Sequence, residues 1–494
     1  MCDLCVATQN FDTSRHLVSG TLEWPDPEPA PAEPDPLPDG TLDQFASYLT
    51  TGFWNDNNGV QHSFSAKPGN SVGYVIEVNL TGITSAAQRL ARWALESWEL
   101  AADIQFVEVE SGGDIIVDDE ESGAFAWSEI MLSDTTEIIT SYVNVDQAWL
   151  DLYGVTLDSY AFSTYVHEFG HALGLGHLGN YNFTSGGATF ANDSYQYSVM
   201  SYIPQDQVEG GTASYAQPTS AMMADMVAIQ QLYGTSNAAA GDTTWGQGST
   251  MSRHFATLYA GVDDGDPATE ERDPIAFTLF ESVNGGTDTI DLRNSTTNDR
   301  LDLNDGSFSD VAGLTSSLAI ARGSQIENAR MGSGNDTIVG NELNNQITGH
   351  GGRDALNGGG GSDRLSGGGG RDQLFGGAMN DRLFGNRGAD RLDSGEGDDL
   401  MVGGRGADEF FFGFGHDSDK IRDFTLGTDG LLFSALDFDG LNAQQLVNQY
   451  GTVGRRGVTL DFGDSEILGA DANDSLRLIG VFDLNALADD ITFI

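Results

Sequence analysis

A chain of 494 residues is long enough for two or more domains, each with its own core. Its 74 acidic against 22 basic residues give a formal charge of −52, which excludes a general nucleic-acid-binding surface. That excess fits either a heavily solvated exterior or a protein built to meet many cations, calcium above all. With only Cys2 and Cys5 there is no disulfide framework, and no stretch approaches a membrane-spanning length of apolar residues.

Residues 1–39 read as a leader followed by a proline-rich linker. The leader has neither the basic stretch nor the apolar run of a secretory signal, so export would use a route that needs no N-terminal signal. "MCDLC" is either a metal or redox pair or part of a segment lost on maturation. Seven of the twelve prolines fall in 25–38, a run that is extended and cannot pack.

Residues 40–240 read as a mixed α/β domain. "VGYVIEVNL" (72–80) predicts a strand, and Ser85 with Gln88 a capping box opening a helix. Phe106–Val109, Asp114–Val117, "SGAFAWSEI" (122–130) and "SYVNVDQAW" (141–149) read as extended. A helix is expected from about Tyr160 to Leu173, with Phe162, Val166, Phe169 and Leu173 on its core stripe. A last helix, about Ser220 to Tyr233, is capped by Gly234.

That second-last helix carries "VHEFGHALGLGHL" (166–178), which holds three of the eight histidines. His167 and His171, four apart, share one helix face about 40° from eclipsed. Gly174 can adopt the left-handed conformation that ends the helix, so that His177 returns to the same point. Three neutral imidazoles with an open fourth position describe a catalytic zinc site. Glu168, beside His167 but not a ligand, is placed to take a proton from a water there.

Residues 241–494 change character, with Gly, Asp and Asn dominant. From 331 to 411 the sequence repeats every nine residues, as in "GGGGSDRLS" and "GGGGRDQLF". With Asp as position six, the series is Asp336, Asp354, Asp363, Asp372, Asp381, Asp390, Asp399 and Asp408, broken only by Asn345. Position eight is always apolar, from Ile338 to Phe410. This period predicts a parallel β-roll: positions one to six turn, the last three form a short strand, and two repeats complete a coil. Aspartates stacked at about 4.8 Å repel by about 1–3 kcal/mol per pair. Calcium between coils would reverse that, with Gly332, Gly334, Gly349, Gly352, Gly358, Gly361, Gly367, Gly370, Gly388, Gly397 and Gly406 leaving turn carbonyls open as further ligands. "GGTDTID" (285–291) suggests another calcium site through Asp288, with Asp291 a weaker candidate.

HExxHxxGxxH followed by "SVMSY" resembles the metzincin metalloproteases. The resemblance implies that Met200 packs beneath the ligands. It also implies that Tyr202 binds zinc at rest and stabilises the oxyanion during turnover. "DMVAIQQLYG" (225–234), "SFSDVAGL" (307–314), "IENARMGSGNDTIVGN" (326–341) and "KIRDFTLGTD" (420–429) narrow the likeness to the serralysins, over roughly residues 40–494. Glu327 matches a serralysin calcium ligand. Where serralysins usually have proline after the third histidine, this chain has Leu178, which implies a looser loop. In other metzincins a propeptide cysteine can hold zinc and keep the enzyme latent, so Cys2 or Cys5 could do so here.

The array resembles repeat-in-toxin proteins, and the chain ends "DDITFI" as serralysins do. The expectation is a secreted monomer, passed by a type I exporter, with one catalytic zinc, several structural calcium ions and protein or peptide substrates of broad range. Its fold would be an α+β metzincin domain followed by an all-β domain built on the roll. An extended substrate would pair with the edge Gly123–Trp127. The rival reading is a calcium-dependent surface or adhesion protein whose protease domain is vestigial. A calcium-buffering protein would explain the charge but not the histidines.

Overall fold

The computed structural model describes residues 37–66, 73–131, 137–181, 187–236, 241–250, 274–281, 286–436, 438, 440–463 and 474–494. The leader with Cys2 and Cys5 lies outside them. Two compact units emerge: residues up to Gly211 with Ala224–Gly234, and Thr212–Met223 with Thr235–Ile494.

The first unit is built on a five-stranded sheet. Tyr74–Gly82 lies between Ile104–Glu108 and Ile115–Asp118, parallel to both. Ile138–Val145 runs parallel to Ile115–Asp118, and Ala124–Ile130 closes the sheet as its antiparallel edge. Alternation drives the central strand: Ile76, Val78 and Leu80 are buried while Glu77 is exposed. The Ser85–Ala101 helix buries Leu90, Ala94 and Trp98 at helical spacing.

Two local expectations need correcting. The cap of that helix is Thr84, whose hydroxyl accepts the Ala87 N–H at 3.4 Å; Ser85 is its first helical residue and Gln88 donates instead to the Ile83 carbonyl. The segment expected to stay extended to Trp149 leaves the sheet at Val145. Asp146 then caps a helix over Gln147–Tyr153, its carboxylate accepting the Trp149 N–H at 2.6 Å. An aspartate before a short apolar run is an N-cap signal that β-propensity upstream had masked.

The second unit contains the roll. Register is displaced by 18 residues throughout: Ile347 pairs with Leu365, Leu383 and Met401 in turn on one sheet, and Ile338 with Leu356, Leu374, Leu392 and Phe410 on the other. All nine of these position-eight side chains are at most 2% exposed. The strands are longer than three residues. Arg364–Gly369, for example, runs from position seven through position three of the next repeat, so the turn is confined to positions four to six. Glycine makes this possible by letting successive coils hydrogen-bond closely, as in Gly352 N–H to Gly369 O at 2.9 Å. The strands Gly430–Phe433 and Ile491–Phe493 extend one sheet, and Ser475–Ile479 with the hairpin Gly451–Asp461 extends the other.

Candidate metal centre

The Tyr160–Ala172 helix starts at Ser159, whose hydroxyl accepts the Phe162 N–H at 3.2 Å. It is buried on all sides from Ala161 to Gly170, not along a single stripe. Trp98 fixes it by donating its indole N–H to the Val166 carbonyl at 3.0 Å, and the helix packs on the edge strand Ala124–Ile130. Gly174 follows with φ +102°, where a Cβ would collide with the His62 carbonyl. The chain then turns back and carries His177 over the helix.

This turn brings three imidazoles together. One ring nitrogen from each of His167, His171 and His177 lies within 4.8 Å of the others, and the Nε2 atoms of His171 and His177 are 3.0 Å apart. His167 Nδ1 sits 2.7 Å from the Val199 carbonyl, and His171 Nδ1 2.8 Å from the Leu175 carbonyl. A carbonyl only accepts, so both Nδ1 atoms carry the proton and both Nε2 atoms present lone pairs to the centre. Burial, reinforced by His171, pushes the His167 pKa down to about 3. Burial lowers His171 to about 4 and holds His177 well below its usual value. All three rings are therefore neutral, the form a metal needs. His167 Nε2 is buried without a hydrogen-bond partner. The lone pairs of His167 and His171 converging on the third imidazole fit a divalent ion of the zinc type.

Glu168 is buried beside this cluster. With His167, Thr164, Tyr160, Tyr195 and Tyr202 it lines a cavity of about 30 Å³, room for a water. The Tyr202 ring lies 4.5 Å from that of His177 and 5.5 Å from that of His167. Met200 is fully buried, and its sulfur lies so near Gly170 that a Cβ there would come within 2.5 Å. Leu178 does not loosen its loop. It is buried, and its N–H bonds to the Met200 carbonyl at 3.3 Å, a bond proline could not make.

Several supporting residues escaped the sequence reading. Buried Asp225 accepts the Val199 N–H at 2.7 Å and the Ser198 hydroxyl, fixing the carbonyl that orients His167. Tyr181 stacks on Tyr202, accepts its N–H at 3.3 Å and donates to Asp193. Burial raises the Asp193 carboxyl to about 6. An acid inside the otherwise apolar "MADMVAI" was the one available signal for Asp225.

In the roll, the side chains of Asp336, Asp354, Asp363, Asp372, Asp381, Asp390 and Asp399 each leave a buried Oδ2 without a partner. In all seven, Oδ1 accepts a backbone N–H from the preceding coil at 2.7–2.9 Å, from Asp299 for Asp336 and from the residue 18 earlier for the others. Burial raises Asp354 and Asp381 to about 7 and Asp399 to about 8. The position-one glycines Gly349, Gly358 and Gly367 sit where a Cβ would meet the Oδ2 of their own repeat's aspartate. Gly352, Gly370, Gly388 and Gly406 each lie against the carbonyl of the glycine one coil before. Rows of orphaned carboxylate oxygens fit a hard cation such as calcium. Asn345 keeps the backbone pattern, donating its N–H to Asp363 Oδ1, while its amide bonds to the Glu327 carbonyl.

Asp288 and Glu327 also meet: the Asp288 N–H donates to Glu327 Oε2 at 2.6 Å. Glu281, unnoticed in the sequence, joins them. It is fully buried, accepts the Trp245 indole N–H at 2.7 Å, and is raised to about 8 by burial and by Asp288. Asp291 does not join, because its carboxylate is held by Arg293 at 2.8 Å and Arg330 at 3.4 Å.

Residues 235–470 match the family model of the peptidase M10 serralysin C terminal. The metallopeptidase AprA of Pseudomonas marginalis is 35% identical over 273 residues, 52% of this chain and 54% of its own. Serralysin of Photorhabdus laumondii subsp. laumondii is 32% identical over 302 residues, 58% of this chain and 60% of its own. Serralysin G of Dickeya chrysanthemi is 32% identical over 342 residues, 63% and 66% respectively. The chain thus spans between half and two thirds of the length of these relatives.

Proposed function

We propose, on the premise that this chain is a relative of the serralysin-type metalloproteases, that it is a zinc-dependent endopeptidase stabilised by calcium. The observation that carries the reading is the convergence of three neutral histidines beside a buried glutamate. His167, His171 and His177 would hold zinc, with Tyr202 as a further, mobile ligand. Bound there, zinc would supply the Lewis acidity that polarises a scissile carbonyl and acidifies water.

The chain's own groups do the rest. The Glu168 carboxylate takes the proton of the attacking water and delivers it to the leaving amine nitrogen. The Tyr202 hydroxyl donates to the oxygen on which negative charge develops. Ala124–Ile130, an edge strand packed against the histidine helix, would receive an extended peptide along its outer edge. The hydroxyl of Ser141 steadies that arrangement by donating to the Ala172 carbonyl at 2.8 Å.

We read residues 40–240 as the protease domain and 241–494 as the calcium-dependent domain. Extracellular modules bind calcium with dissociation constants of about 10⁻⁴–10⁻³ M, so the roll would stay unfolded inside a cell and fold outside it. This supports secretion through a type I exporter; we further propose a monomer with proteins or peptides as substrates. Among the described residues no helix is long and apolar enough to cross a membrane.

The test is casein cleavage by the full chain in millimolar calcium with zinc, beside Glu168→Ala prepared identically. Activity should fall about 10²–10⁴-fold in the variant while its zinc content stays the same. Equal inactivity of two folded, zinc-loaded samples, unchanged when the leader is removed, would hand the case to the adhesion reading.

A further inference from the structure

The second unit's 11-stranded sheet has an unusual outer face. Its in-register row at repeat position seven runs through Gln346, Arg364, Arg382, Leu400, Lys420 and Arg477. Four cations thus stand on one line in a chain of charge −52. Arg364, Arg382 and Arg477 are exposed and Lys420 is half-exposed. Among the described residues none of the four has a carboxylate partner. Arg364 instead lies over the Phe384 ring at 4.1 Å, and Arg477 donates to the Thr459 hydroxyl at 3.3 Å. The parallel row at position nine, Thr348, Ser366, Phe384 and Val402, continues to Arg330 and then Asp291, whose carboxylate is already held by Arg293 and Arg330.

Like charges in register on neighbouring strands oppose folding. Balancing the adjacent aspartates does not explain the row. The other sheet carries the same aspartate ladder, yet its row, followed beyond the repeats in the same way, is Arg300, Thr337, Ala355, Gln373, Arg391, Glu409 and Gly430, with two cations and one acid against four cations and no acid. The excess is specific to one face.

We propose that this face binds a linear acidic polysaccharide. Arg364 and Arg477 are four strands apart, about 19 Å at the usual strand spacing. The cations therefore follow a line across the strands, as the charges of an extended uronate or sulfated glycan do. Hydroxyls and an amide beside them (Thr348, Ser366, Gln346) suit sugar hydroxyls. A bilayer would need apolar side chains free to insert, and Phe384 and Val402 are half-buried. An anionic membrane would also face the whole negative chain, whereas an oligosaccharide meets only the row.

The experiment uses the full chain in millimolar calcium and a fluorescent heparin-derived decasaccharide, followed by anisotropy. Saturable binding is expected, weakening as salt rises. Arg364→Gln with Arg382→Gln should weaken it tenfold or more, and Arg477→Gln alone by less, while Arg391→Gln on the opposite sheet leaves it unchanged. Circular dichroism and casein cleavage should not move in any of these variants. No binding, equal loss with Arg391→Gln, or capture of phosphatidylglycerol vesicles in place of the oligosaccharide would overturn the proposal. So would binding that persists undiminished in the double variant, since it would then run through bridging calcium.

Discussion

Asp225 accepts the Val199 N–H, and the carbonyl of the same residue sets the His167 proton on Nδ1. Asp225→Ala would leave the buried Val199 N–H and Ser198 hydroxyl without their acceptor, a loss of about 1–3 kcal/mol. Zinc affinity should fall about 10–100-fold, as for other residues that orient a ligand, and a competitive chelator titration would measure it. Gly170 gives a complementary test. A methyl there would press on the Met200 sulfur and come within 3.0 Å of the Trp98 ring. Gly170→Ala should therefore cost about 1–3 kcal/mol by overpacking, read as a lower unfolding temperature.

At the scale of the element, the coil of the roll is fixed by what its turn tolerates. Position four is glycine in most repeats, but Met379 occupies one such site at φ +75°, with its side chain 62% exposed. A non-glycine residue there carries about 1–2 kcal/mol of strain. Met379→Gly should stabilise the calcium-loaded roll by about that amount and lower the calcium concentration at which it folds, followed by circular dichroism. Leu365 is the opposite case, a fully buried position-eight side chain stacked between Ile347 and Leu383. Leu365→Ala should cost about 2–5 kcal/mol, with calcium dependence retained.

At the scale of the whole molecule, the stacked aspartates of the roll tie the second unit's stability to pH. Burial raises Asp354 and Asp381 from 3.8 to about 7, so each folded carboxyl holds its proton more tightly than the unfolded one. A raised acid contributes stability that is full below the unfolded value and lost as pH rises through the folded value. Without calcium, the second unit should be most stable near pH 4 and lose that stability by about pH 7. Calcium should remove the loss, because it favours the ionised form. Thermal melts in chelator and in calcium across this range would show the crossing, and a flat profile in chelator would contradict it.

The sequence alone was sufficient where spacing is local. HExxHxxGxxH places two histidines on one helix face and a glycine at its end whatever surrounds them, because helical geometry is short-range. The nine-residue period likewise dictated the 18-residue register and the buried eighth position, since each coil packs only on copies of itself. Tertiary structure decided what depends on partners distant in the chain. It placed Asp225 against Val199, Glu281 beside Asp288, and Leu178 on Met200 in place of a loosened loop. It moved a cap from Ser85 to Thr84 and turned Gln147–Tyr153 from strand to helix, where local propensities were nearly balanced and packing chose. It also set four scattered cations on one line, because register between strands is fixed by the buried core and not by the residues that face outward.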